Sequence, residues 1–129
     1  MGRTLIEVAR AAQSAAHAPY SGYPVGAALE TESGRVFAGA NVENASFGLT
    51  VCAERVALGA AVAQGARVFR RLVIVTRSEP PAAPCGACRQ ALAEFGLDLT
   101  IESVGKKTTK QWTLRELLPD AFRAGDLIE

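Results

Sequence analysis

No stretch of the 129-residue chain approaches the roughly 20 consecutive apolar positions that a membrane-spanning helix needs. Nor is one sign of charge in excess: fourteen Lys and Arg stand against thirteen Asp and Glu, for a net charge of +1. Without a basic stripe, and with aromatics at only 6%, the chain lacks the cationic track and stacking platforms that a nucleic-acid strand requires. Internal repeats, linkers and low-complexity tracts are missing, so residues 1–129 are expected to form one catalytic domain. Histidine is nearly absent. His17 alone reads as an exposed residue at a helix end rather than as a metal ligand. Met1 to Glu7 places a carboxylate where a signal peptide requires an unbroken apolar stretch. We therefore expect a cytoplasmic protein with reduced thiols, whose clustered cysteines serve as metal ligands or catalysts rather than disulfides. What is there is an ordinary globular balance, 49% apolar and 21% charged. A chain of this length buries roughly two-thirds of its unfolded surface, enough for a real core.

Thr4 with Glu7 is a capping box, opening a helix expected to run to about His17 with Leu5, Val8, Ala9, Ala12 and Ala16 along one side. Strands are expected at Val25 to Thr31 and Val36 to Ala40, joined by the turn Glu32-Ser33-Gly34-Arg35. After the loop Asn41 to Val51, a second helix runs from Cys52 to about Gln64 and stops at Gly65. Leu72-Val73-Ile74-Val75 reads as a strand buried on both faces. Pro84 ends a proline-rich loop and suits the start of a third helix, which stops at Gly96. Leu99 to Ser103 reads as a strand, Gly105 to Lys110 as a polar turn, and the stretch from Glu102 to Lys110 as solvated surface. Gln111-Trp112 suits a short edge strand, and Thr113 with Glu116 caps a last helix before Pro119. This order predicts α/β layers. Crossovers would put the second and third helices on one side of neighbouring parallel strands, their N-termini converging beyond the strand ends.

All three cysteines fall at predicted helix starts: Cys52 in Cys52-Ala53-Glu54-Arg55, and Cys85 and Cys88 in Pro84-Cys85-Gly86-Ala87-Cys88-Arg89-Gln90. Helix N-termini favour thiolates. Three thiolates make a donor set for zinc that leaves a fourth tetrahedral position open, as catalytic sites do. Glu54 follows Cys52 closely enough to reach a water at that position and carry its proton. Arg55 is expected to hydrogen-bond a ligand sulfur and offset its negative charge. The pair Cys85 and Cys88 alone would equally suit a thioredoxin-type redox dithiol or two small buried residues. Cys52 with Glu54 at a second helix start tips the balance to metal, because a redox pair needs no third thiol.

At these residues the sequence resembles the small, zinc-dependent, homotetrameric cytidine deaminases. The resemblance runs from Ala18-Pro19-Tyr20-Ser21 and Val25-Gly26-Ala27-Ala28 to Leu117-Leu118-Pro119, with Asn41-Val42-Glu43-Asn44 and the cysteine segments most discriminating. It implies a three-layer α-β-α fold with a mixed sheet of about five strands and helices on both faces. It implies one zinc per subunit on Cys52, Cys85 and Cys88, with Glu54 as proton shuttle. It further implies that Asn41 and Glu43 hold ribose hydroxyls and that Tyr23, where the family usually has Phe, lies against the pyrimidine. The backbone N–H of Ala53 would reach the base carbonyl. Phe122 would enter a neighbouring subunit's pocket in a homotetramer.

The implied reaction is hydrolytic deamination of cytidine and 2′-deoxycytidine to uridine and 2′-deoxyuridine, in pyrimidine salvage. Its chemical rivals are a deaminase of a modified nucleoside such as blasticidin S, a thiol–disulfide oxidoreductase, and a structural zinc module. The ionised Glu43 would repel a sugar phosphate, so nucleosides are expected to be preferred to nucleotides.

Overall fold

The computed structural model describes residues 3–127. Its elements in chain order are α1 (Leu5–Gln13), β1 (Gly26–Thr31), β2 (Val36–Ala40), α2 (Ala53–Ala63), β3 (Phe69–Val75), α3 (Gly86–Ala93), β4 (Thr100–Val104), β5 (Thr109–Thr113) and α4 (Leu114–Leu117). Both capping boxes form. Thr4 and Glu7 cap α1 reciprocally, and Thr113 and Glu116 do the same for α4. Gly65 and Gly96 stop α2 and α3 with φ of +89° and +125°, a backbone region that side chains with a Cβ rarely enter.

The five strands form one mixed sheet in the order β2-β1-β3-β4-β5. Only β3 and β4 pair in parallel; β1 is antiparallel to both β2 and β3, and β5 is antiparallel to β4. The expectation that α2 would link neighbouring parallel strands is thus corrected. The hairpin puts β1 between β2 and β3, so the connection through α2 passes over an antiparallel strand. The strand-to-strand crossover through α3 joins true neighbours.

Strand alternation divides the core into two layers. Ala27, Leu29, Leu72, Ile74 and Ile101 face α2 and α3 with Ala57, Ala61 and Leu92; Ala28, Val73, Val75 and Val104 face α1 with Ala9. This is the expected three-layer arrangement, with helices on both faces of a five-stranded sheet. Small residues let α2 lie close to the sheet. A Cβ added at Gly39 would stand 2.4 Å from the Ala53 carbonyl oxygen and 2.5 Å from the Ala57 nitrogen.

The first helix ends at Gln13, short of His17. His17 is instead the centre of a parallel bridge to Val42, donating its N–H to the Asn41 carbonyl at 3.0 Å and accepting the Glu43 N–H at 2.8 Å. Its side chain is exposed, as expected. Among the described residues no helix is long and apolar enough to cross a membrane.

Candidate metal centre

The register places the start of β1 and the ends of β2, β3 and β4 at one margin of the sheet: Gly26 pairs with Ala40 and Val75, and Val75 with Val104. The loops leaving that margin carry the chemistry. A two-residue bridge between Val42 and Val51, with both hydrogen bonds at 2.9 Å, closes the loop after β2 and delivers Cys52 to the N-cap of α2. The loop after β3 delivers Cys85 to the N-cap of α3.

The cysteine sulfurs converge. Cys52 and Cys85 Sγ atoms are 3.8 Å apart, Cys85 and Cys88 Sγ atoms 3.5 Å, and all three lie within 4.8 Å of one another. Tetrahedral zinc with bonds of about 2.3 Å sets its sulfurs about 3.8 Å apart, so the trio fits that ion. The charges agree with the distances. Hydrogen bonding from Cys88 pulls the Cys52 thiol down to about 5 against the opposing effect of burial, with Arg55 and Cys85 adding to the pull. Cys88, hydrogen-bonded to Cys52 and buried, is pushed far up. One thiolate therefore suppresses the next. A dication among the three would reverse this and hold all of them ionised.

Arg55 donates from Nη2 to Cys52 Sγ at 3.8 Å, as expected, and its Nε is buried without a partner among the described residues. Glu54 is 5% exposed, and burial pushes its carboxyl above the ordinary carboxylate range, with the Cys52 thiolate pushing the same way. Ala53 is fully buried as the first residue of α2, where helix geometry leaves N–H groups without intrahelical acceptors.

The polar residues of the neighbouring loops are already engaged. Asn41 accepts the Val25 N–H at 2.9 Å and donates to the Tyr23 carbonyl at 3.0 Å. Glu43 accepts the Tyr20 and Ser21 N–H groups at 2.9 and 3.1 Å, and also the Ser21 hydroxyl. The Ser21 hydroxyl, foremost among these donors, holds its carboxyl below the ordinary range. Each residue keeps spare capacity: one amide hydrogen and one lone pair on Asn41, at least one lone pair on Glu43. Tyr23 is 36% exposed, with its hydroxyl turned to Ser78 at 2.7 Å. Phe122 is 55% exposed, and its carbonyl accepts from Gln90 on α3 at 2.8 Å.

Three supporting contacts escaped the sequence reading. Arg89 donates to the Pro84 carbonyl at 2.7 Å and the Leu117 carbonyl at 2.9 Å, clamping the residue before Cys85 to the end of α4. Glu79 accepts the Thr108 N–H at 3.1 Å and also bonds the Lys107 N–H and the Thr108 hydroxyl. Gly105 packs where a Cβ would meet the Ser78 carbonyl at 2.5 Å. The turn expected to be merely solvated therefore braces the loop that carries Cys85. Its glycine and the lone carboxylate of Glu79 were the available signals.

A family model, the cytidine and deoxycytidylate deaminase zinc-binding region, matches residues 2–103, and the chain belongs to that family. Its relatives include enzymes named cytidine deaminase. That of Sporosarcina psychrophila is 42% identical over 126 residues, covering 95% of this chain and 92% of the relative. That of Halalkalibacterium halodurans is 45% identical over 125 residues, covering 95% of each chain. The crystal structure of cytidine deaminase from Burkholderia pseudomallei, 48% identical, matches with a TM-score of 0.88 over 92% of this chain and 96% of that one. A zinc-binding deaminase fold and a three-cysteine cluster thus coincide in one molecule.

Proposed function

We propose that this chain is a single-domain hydrolase that deaminates cytidine and 2′-deoxycytidine to uridine and 2′-deoxyuridine in pyrimidine salvage, releasing ammonia. The observation that carries the reading is the meeting of three cysteine sulfurs within 4.8 Å beside the buried Glu54. Cys52, Cys85 and Cys88 would hold one zinc per subunit. Zinc bound there supplies the means to ionise water near neutral pH. A carboxyl buried beside the metal-held water can take up a proton and return it within one turnover. Glu54 accordingly takes the proton of the attacking water and passes it to the base and the departing amine.

Arg55 offsets the charge of the third thiolate. Asn41 and Glu43 use their spare hydrogen-bonding capacity for the sugar hydroxyls, Ala53 N–H for the base carbonyl, and the Tyr23 ring for the face of the pyrimidine. Cys85 and Phe122 are both exposed in the isolated chain, which supports a homotetramer in which Phe122 closes a neighbour's pocket. The cytoplasm, which keeps thiols reduced, suits this site.

Metal analysis of purified protein, together with the absorbance change on mixing with cytidine, tests the reading. We expect zinc and turnover, and both absent would refute it. Blasticidin S turned over in preference to cytidine would point to the modified-nucleoside class. Thiol–disulfide exchange that survives a chelator, with a redox-active Cys85–Cys88 pair, would point to a redox dithiol. CMP turned over as efficiently as cytidine would remove the proposed role of Glu43 against phosphates.

A further inference from the structure

Tyr23 stands between the two loop systems of the site. Its backbone belongs to the Asn41 and Glu43 side: its N–H donates to Ser21 Oγ at 3.0 Å, and its carbonyl accepts from Asn41 Nδ2 at 3.0 Å. Its side chain reaches the other way, to Ser78 Oγ at 2.7 Å, across 55 positions of sequence. Ser78 Oγ in turn lies 2.8 Å from Thr76 Oγ1, a residue only 5% exposed, which also accepts the Ser78 N–H at 3.2 Å. The Ser78 carbonyl accepts the Lys106 N–H at 3.2 Å. Ser78 is thus fixed to the end of β3 and to the β4–β5 turn, on the loop that ends at Pro84 and Cys85.

We propose that Tyr23 and Ser78 are a positioning pair, whose hydroxyl–hydroxyl bond ties the segment 20–25 to the loop 76–84 and sets the spacing between the Asn41 side of the pocket and Cys85. The hydroxyl is the feature that matters. A phenylalanine ring could occupy the same volume, but it would leave the two loops without this link. In this row of three oxygens the central one, Ser78 Oγ, has a hydroxyl on either side and can donate to one while accepting from the other, so the two bonds reinforce one another. What the gap between the loops receives rests on the proposed function; the tether itself does not.

Tyr23→Phe, Ser78→Ala and the double variant test the pair by two readouts. Removing one hydrogen bond should speed amide hydrogen exchange at the N–H groups of Arg77, Ser78, Glu79, Ala82 and Ala83 by about 2- to 12-fold. It should also raise KM for cytidine by a factor in the same range, about 2 to 12, with kcat falling less than that. The double variant should resemble Ser78→Ala, which already removes the bond to Tyr23 together with the one to Thr76. Unchanged exchange in Tyr23→Phe, or single-variant effects that add in the double, would overturn the tether. Wild-type protein inert toward cytidine would instead sink the proposed function, and the exchange measurement would still decide the pair.

Discussion

Replacing Gly39 with alanine asks whether the contact between β2 and α2 sets the metal centre. A Cβ at residue 39 would stand 2.4 Å from the Ala53 oxygen and 2.5 Å from the Ala57 nitrogen, where side-chain carbons essentially never come closer than 3.0 Å. Both atoms are helix backbone, so no rotamer change relieves the clash. The start of α2 must move by at least about 0.6 Å. That movement carries Cys52, Glu54 and Arg55 with it, whereas metal–ligand distances tolerate only about 0.2 Å. Overpacking of this kind costs about 1–3 kcal/mol. At roughly 4 °C per kcal/mol for a chain of this size, the metal-free Tm should fall by about 4–12 °C. Zinc affinity should fall at least about 10-fold, removing a further 1.4 kcal/mol or so of the stabilisation that zinc confers. Calorimetry with and without zinc, and competition against a chelating dye, measure both. Gly59→Ala is the control: it lies in the same helix with nothing within 4 Å of its Cβ, and should stabilise by about 0.5–1 kcal/mol. A Gly39→Ala protein with wild-type Tm and zinc affinity would refute the argument.

Glu54→Gln should keep its zinc and lose about 10²- to 10⁴-fold in kcat/KM for cytidine, measured by absorbance; unchanged turnover would remove the residue from proton transfer. Arg55→Ala should bind zinc about 10- to 100-fold more weakly by dye competition, since Cys52 then loses its donor. Glu43 carries a carboxyl held below the ordinary 4.5 by its bonds to Ser21 and Tyr20. A group depressed in the folded state stabilises above its unfolded value and ceases to do so as pH falls through the folded one. The Tm advantage of wild type over Glu43→Gln should accordingly be full at neutral pH and vanish with acid. An advantage that persisted in acid would contradict the assignment.

Patterns local in sequence were the legible ones. The two capping boxes, the Val36–Ala40 strand and the stops at Gly65 and Gly96 depend on residues a few positions apart, and all appear in the structure. The cysteine cluster was legible for another reason: three thiols at helix starts have few chemical uses. The place of β1 was not, because hydrophobic alternation specifies faces but not which strand a hairpin inserts beside. Helix α1 stops at Gln13 because the backbone at His17 pairs with Asn41 and Glu43, a tertiary contact that outweighs alanine propensity. Bonds such as Ser21 to Glu43 or Tyr23 to Ser78 span 22 and 55 positions and leave no periodic trace.

The amide of Asn41 has a thermodynamic implication of its own. Its rotamer is frozen when the chain folds, by Val25 on one side and Tyr23 on the other. A flexible polar side chain commonly forfeits about 0.5–1.5 kcal/mol of entropy on meeting a ligand. Asn41 has already surrendered that freedom, so a molecule arriving beside it meets a donor and an acceptor aimed in advance. Preorganisation of this sort makes affinity and folding inseparable at that position, and substitutions there will degrade both together.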